Sequence, residues 1–232
     1  FPLFAELTGL PGIGPKGAAA LVAGGVATPR DLIFTLPYAG IDRSRRESVT
    51  ELRPPAFATV AVTIGQHRPP RQKGRPYRVD ATDAGTTFQL VFFHAREDWL
   101  RKQLPTGQRR VVSGKVESFD GVLQIVHPDH ILTEEEAGTL PAFEPVYSQV
   151  GGLAPRVVGR AASGALDRAA ELAEWIDPEL MKREGWPSWR EALTQAHAPG
   201  REGDLLPDAP ARRRLVATWQ AEELFAELFG DQ

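Results

Sequence analysis

The sequence predicts an α+β chain in which a five-stranded barrel is flanked by helical segments, and three observations carry that reading. Apolar residues recur at helical spacing up to about residue 45 and again beyond about residue 134, whereas between them the pattern changes to alternation. Five alternating runs fall in that middle stretch, with one helical run between the third and the fourth. An Asp-Gly pair, Asp120-Gly121, separates the last two runs and supplies the left-handed backbone that a two-residue hairpin turn requires.

The N-terminal segment contains Leu7-Thr8-Gly9-Leu10-Pro11-Gly12-Ile13-Gly14-Pro15-Lys16-Gly17. Gly12 and Gly14 allow a tight turn at positive φ that brings backbone N–H groups near an anion, Pro15 suits a first helical turn, and Lys16 adds a charge beside it. Gly12, Gly14 and Gly17 also spell a dinucleotide fingerprint, but Pro11 breaks any strand feeding the turn. A nucleotide-phosphate loop is excluded, because no Gly-Lys is followed by Ser or Thr. A helix-hairpin-helix fits best, with Leu3, Leu7 and Leu10 before the turn and Ala18, Ala19, Leu21 and Val22 after it. Such a hairpin serves either to pack two helices or to touch phosphate. Thr28 is the expected cap of a helix through Asp31-Leu32-Ile33-Phe34, and the charged run Asp42 to Glu47 reads as a solvated connector or, alternatively, as a phosphate contact.

In the barrel stretch, Val60, Val62 and Ile64 alternate with Thr59, Ala61 and Thr63. Tyr77, Val79 and Ala81 form a second inward set, and Phe88, Leu90 and Phe92 a third. A helix over 95–104 follows, then strands over 109–119 and 122–126. Five strands with a helix between the third and fourth is the chain order of an OB-fold. Beyond it, helices are expected over 164–175, from Asp177-Pro178, from Ser188 with Glu191 as a capping box, and from about Pro210 through Leu215, Trp219, Leu224, Phe225, Leu228 and Phe229. The expected domains are a helical module at 1–47, the barrel at 48–133 and a helical linker at 134–232.

Composition narrows the function classes. No cysteine is present, which excludes disulfides and thiolate metal sites, and His127 and His130 have no third ligand at metal spacing. No apolar run reaches membrane-spanning length and no leader peptide is read, so a cytoplasmic protein without membrane contact is expected. The start at Phe1 suggests a piece of a longer polypeptide. A net charge of −3 argues against a uniformly basic binder and leaves local patches to decide. No catalytic constellation can be assembled from the spacing, and Glu134 to Glu136 read as solvated.

Two features suit nucleic acid. The joint between the first two strands carries Arg68, Arg71, Lys73 and Arg75 without an acid, stiffened by Pro69-Pro70, where an OB-fold flanks its oligonucleotide face. Phe92-Phe93-His94 closes the third strand, and because adjacent strand residues face opposite sides, Phe92 points inward and Phe93 outward beside Arg96 and Trp99. A flat ring there stacks on an unpaired base for about 1–3 kcal/mol, or is covered by a neighbouring helix.

The order of these features resembles the N-terminal half of the RecG family of bacterial ATP-dependent DNA helicases. The resemblance rests on Gly-Ile-Gly-Pro-Lys, Asp31 to Tyr38 with Asp42-Arg43, Phe92-Phe93-His94, His127-Pro128-Asp129, Pro145-Val146-Tyr147, Gly152-Leu153 and Ala211-Arg212-Arg213-Arg214-Leu215. It implies that the barrel is a wedge at the branch of a stalled fork or Holliday junction, that Phe93 stacks at the branch, and that the loop from Arg68 to Arg75 grips displaced arms. His94 stands where the family usually has Asn, and Glu97 where some members carry a second aromatic. ATP and Mg2+ would belong to a motor absent from this chain. Branched and single-stranded DNA, motor domains in cis and a single-strand-binding protein are the implied partners, in a nucleoid-associated setting. A stand-alone single-strand-binding barrel and a non-catalytic interaction scaffold are the alternatives.

Overall fold

The computed structural model describes residues 2–72, 74–170 and 173–218. Its helices are α1 (Pro15–Ala23), α2 (Pro29–Ile33), α3 (Glu97–Gln103), α4 (Glu134–Ala137), α5 (Pro155–Leu166), α6 (Pro178–Glu184), α7 (Trp189–His197) and α8 over 210–218. Its strands are β1 (Ala39–Asp42), β2 (Arg45–Arg46), β3 (Ala56–Arg68), β4 (Tyr77–Thr82), β5 (Thr87–Phe92), β6 (Arg109–Phe119), β7 (Val122–Val126), β8 (His130–Leu132) and β9 (Phe143–Val146).

Contacts divide the chain into two compact units rather than three consecutive segments. One is residues 42–142; the other joins residues 1–41 to the described residues from 143 onward. The expected boundaries at 47 and 133 ignored a non-local pairing. β1 pairs with β9, and the Tyr38 N–H donates to the Val146 carbonyl at 3.0 Å, so the chain leaves and re-enters the helical unit along one two-stranded ladder.

The barrel unit is the expected OB-fold. β3 is long enough to serve two neighbours: its first half pairs antiparallel with β6 from Ala56↔Val116 to Thr63↔Arg109, and its second half pairs with β4. A register shift between Ile64 and His67 bends it. β4 pairs with β5, β5 with β7 in parallel, and β7 with β6, which closes the circle. The inward sets predicted by alternation are buried, including Val60, Ile64, Val79, Phe88, Leu90 and Phe92, and Leu100 of α3 joins them. Each such side chain contributes about 1.5–3 kcal/mol of burial. Asp120 and Gly121 have φ of 51° and 76°, the primed hairpin turn that the sequence called for.

The outer face of the barrel departs from the alternation. Thr59 and Ser113 lie opposite each other on β3 and β6, both are buried, and their hydroxyl oxygens are 2.7 Å apart. Arg43 covers them. Its guanidinium donates to Ser113 Oγ at 3.0 Å and to Asp129 Oδ2 at 2.8 Å, and its Cζ lies 5.3 Å from the centre of the Phe57 ring. The run from Asp42 to Glu47 is therefore not simply a solvated connector, since Arg43 is buried and Arg45–Arg46 pair in parallel with β3. A charge run shows its polarity but not that two hydroxyls elsewhere need a donor.

In the helical unit, Leu7, Leu10, Ile13, Leu21, Leu32 and Ile33 share one core with Ala161, Ala165, Leu193 and Leu215. The expected first helix of the hairpin is two short 3-10 turns, at Pro2–Phe4 and Leu7–Gly9, after which Leu10 is extended. The helix expected at 164–175 is instead α5, which opens on Pro155 and ends before Asp167. Gly164 lies inside it as a packing residue, because a Cβ there would stand 2.3 Å from Pro11 Cδ. The local caps are as expected: Asp31 accepts from the Thr28 N–H at 2.9 Å, Asp177 from Glu179 at 3.4 Å, and Glu191 from Ser188 at 3.0 Å. The final helix begins at 210, and its continuation from Trp219 lies outside the described residues.

Two buried polar groups tie this unit together. Arg214 is fully buried, pairs with Glu174 at 2.8 Å and lies over the ring of Trp175 at 4.8 Å. Burial raises the Glu174 carboxyl, but N–H donors from Ile176, Trp175 and Trp189 together with Arg214 outweigh it and leave it below its ordinary value. His197 hydrogen-bonds the Tyr147 hydroxyl through Nδ1 at 2.9 Å and donates from Nε2 to the Ile33 carbonyl at 2.9 Å. Burial pushes the Tyr147 phenol up to about 12 and holds the His197 imidazole below its ordinary 6.5.

Two outcomes follow. A chain cut after residue 142 should keep a cooperatively melting barrel and lose amide protection across α1 and α2, whose core partners come from α5, α7 and α8; retained protection there would overturn the shared core. Because the unfolded chain binds the His197 proton more readily than the folded one, stability present above pH 6.5 should be lost as the pH falls below it. His197→Gln should flatten that part of the melting profile between pH 7 and 5.5, and an unchanged slope would assign it to other groups.

Candidate nucleic-acid interface

The parallel pairing of β5 with β7 sets Val91 against Val126, so Phe92 and His127 come next in register and Phe93 follows beside the His127 ring. Phe92 is buried and Phe93 is 43% exposed, the inward and outward placement expected from strand alternation. The Phe93 N–H donates to His127 Nε2 at 3.2 Å, and the two rings lie 5.9 Å apart at 37°. His94 and His127 both occupy the left-handed region, at φ of 57° and 47°. Non-glycine residues adopt that conformation rarely, and it tends to gather at functional sites.

Beside Phe93 is a cleft of about 220 Å³, walled on one side by Pro70, Gln72, Gly74 and Arg75 and on the other by Tyr77, Phe92, Phe93, His94 and Ala95. It is smaller than the roughly 300–1,000 Å³ of a typical small-molecule site. The root of its loop wall is fixed by His67, which is buried at the end of β3. Its Nε2–H donates to the Leu104 carbonyl at 2.7 Å, so Nδ1 is the acceptor for the Tyr77 hydroxyl at 3.0 Å. Burial raises the Tyr77 phenol above its ordinary value and keeps it a donor.

The expected cations separate into engaged and unengaged groups. Arg68 pairs with Asp80 at 2.7 Å, because the cross-strand register brings β4 beneath it, so the loop does not present it as a bare charge. Arg71 and Arg75 are exposed and have no ion pair among the described residues. Lys73 lies outside the described residues. Arg96 pairs with Asp98 at 2.8 Å, and its hydrogen bond holds that carboxyl below the ordinary range. Trp99 is 49% exposed on α3 and is not part of the cleft wall. Glu97 is engaged by Arg101 one turn along the same helix.

The Gly-Ile-Gly turn belongs to the helical unit. Gly12 has φ of 75°, as expected, but Gly14 caps α1 at φ −89° and needs no glycine conformation. Lys16 is exposed at the second position of α1. α5 brings Arg160 against the turn, where a Cβ on Gly12 would lie 3.4 Å from its Nη1, and Arg168 donates to the Gly9 carbonyl. Arg160 could be assigned only once α5 was known to start at Pro155. Among the described residues, no cluster of metal-ligating side chains occurs and no helix is long and apolar enough to cross a membrane.

Residues 58–132 match the family model of the OB-fold nucleic acid binding domain. Over 95% of its length the chain is 27% identical to the ATP-dependent DNA helicase RecG of Pasteurella multocida and 26% identical to that of Haemophilus influenzae. The structure of RecG bound to a three-way DNA junction superposes with a TM-score of 0.74 over 93% of this chain, at 21% identity. The chain matches the N-terminal, wedge-containing region of RecG. It spans 32% of the length of the RecG sequences and 29% of the RecG chain in the junction structure. At 95% of the chain the match extends over residues of both units.

The charge assignments above carry a direct test. Asp80→Asn releases Arg68 and should steepen the salt dependence of binding to any DNA by up to about one unit of log K against log salt. An unchanged slope would mean that Arg68 meets no phosphate even when released.

Proposed function

We propose that this chain is the branched-DNA-binding and strand-separating part of an ATP-dependent DNA helicase that acts on stalled forks and Holliday junctions in fork reversal, recombination and repair. The observation that carries the reading is that an exposed aromatic, Phe93, lines one cleft of the OB-fold with Arg75, whose loop also carries the exposed Arg71. The guanidinium groups attract phosphate without regard to sequence, whereas a ring can stack only where a base face is free. A duplex end or interior offers phosphates in abundance, but an unpaired base beside two arms occurs at a branch.

In this reading the Phe93 ring stacks on the base at the branch, and the basic loop that carries Arg71, Lys73 and Arg75 grips the displaced arms. Arg96 and Trp99 flank that path. Gly12, Gly14 and Lys16, joined by Arg160, form a second phosphate contact on the helical unit. ATP and Mg2+ act on a motor in cis, outside this chain, which contains no phosphate-binding loop of the Gly-Lys-Ser/Thr type. A single-strand-binding protein is the partner expected where displaced strands accumulate.

Fluorescence anisotropy on a three-way fork, a duplex and a single strand of matched length, across a salt series, tests the proposal. The fork should bind tightest, and Phe93→Ala should weaken fork binding by about 1–3 kcal/mol while leaving duplex binding almost unchanged. Equal affinity for all three would reduce the chain to a general electrostatic module. No binding at all would favour an interaction scaffold.

A further inference from the structure

We propose that His127 is the positioning residue for Phe93, its imidazole Nε2 standing in for the strand carbonyl that would otherwise fix the Phe93 backbone and ring. The inference rests on the branched-DNA reading for its consequence but on geometry for its content. β7 ends at Val126; the next acceptor of a regular parallel ladder would be the His127 carbonyl, but His127 has a left-handed backbone and the Phe93 N–H donates to its imidazole instead. The backbone of His127 continues the ladder by donating its own N–H to the Val91 carbonyl at 2.9 Å, and its side chain then carries the pairing one residue further, to Phe93.

The imidazole is itself held from the core side. The buried Phe92 ring meets it edge-on at 6.1 Å and 90°, while Phe93 lies against it at 5.9 Å and 37°. Both separations fall in the range where aromatic pairs attract. Orientation therefore passes from the packed interior to Phe92, from Phe92 to His127, and from His127 to the exposed ring. Accepting at Nε2 leaves the ring proton of the neutral imidazole on Nδ1. The left-handed backbone at His127 and His94 brackets the same short segment, which fixes the direction in which Phe93 leaves the barrel.

Two substitutions separate this role from simple support of the fold. His127→Asn suits the left-handed backbone, but its amide stops short of the Nε2 position; His127→Gln reaches it and keeps an acceptor there. With the full chain and a three-way fork carrying 2-aminopurine at the branch, His127→Asn should weaken fork binding by about five- to tenfold, the worth of one hydrogen bond, and reduce the stacking-dependent quench. His127→Gln should restore both, and duplex affinity and barrel melting should stay at wild-type values. In a Phe93→Ala background, His127→Asn should have no further effect on the fork.

An equal loss from His127→Asn with and without Phe93 would overturn the proposal, because His127 would then act on DNA or on the barrel directly. Should Phe93→Ala leave fork binding untouched, the branched-DNA reading fails by itself. The positioning role is then read without DNA, from amide exchange of Phe93. Protection lost in His127→Asn and regained in His127→Gln supports it, and protection unchanged in both variants overturns it.

Discussion

The parallel pairing of β5 with β7 is the constraint on which the candidate interface depends. The other four pairings that close the barrel are antiparallel. Parallel neighbours cannot be joined by a tight hairpin and need a long crossover, here supplied by α3 and β6. The consequence is that β5 and β7 end on the same rim. β4 begins there as well, since Tyr77 is paired with Phe92, so the basic loop that precedes Tyr77 opens beside Phe93. One register thus brings together an aromatic, a loop carrying arginines and an imidazole that are remote in sequence.

What was legible in the sequence was local. Alternation separated Phe92 from Phe93, Asp120-Gly121 fixed a turn through its own backbone, and Thr28, Asp177 and Ser188 each cap a helix with residues no more than three positions away. What was hidden depends on pairing across the chain. Arg43 reads as one charge in a charged run until β3 and β6 place Thr59 against Ser113 and leave two hydroxyls in need of a donor. Gly164 reads as a helix start until Pro11 is seen to occupy the space of its missing side chain. In the sequence His127 reads as a metal ligand without a third partner or as part of His127-Pro128-Asp129, because nothing near it in the chain announces Phe93 as its partner.

The charges show why a total is a poor guide to a binding surface. The chain carries 27 Lys and Arg against 30 Asp and Glu, yet the balance on the interface is set by which cations already have a carboxylate. Asp80 neutralises Arg68, and Asp98 neutralises Arg96. Such exposed pairs contribute little to stability, about 0–1 kcal/mol each, but they remove field at the positions where a phosphate would sit. Arg71 and Arg75, which have no ion pair among the described residues, remain on the loop that lines the cleft. The sequence showed four basic residues without an acid between them and could not show that the acid was twelve residues away on the next strand.

On the proposed reading, these two kinds of contact do different work. Attraction between arginines and phosphate is shared by every DNA and fades with salt, so it raises affinity without distinguishing a fork from a duplex. Discrimination must come from the stacking ring, and its strength depends on how much freedom the ring loses on binding. An exposed phenylalanine that samples several rotamers gives up about 0.5–1.5 kcal/mol when it is immobilised, a sizeable share of the 1–3 kcal/mol that one stacked base returns. A ring already oriented through its own backbone N–H and a neighbouring imidazole keeps more of that return. The barrel interior, which fixes Phe92 and through it His127, is in this sense part of the recognition surface although none of it touches DNA.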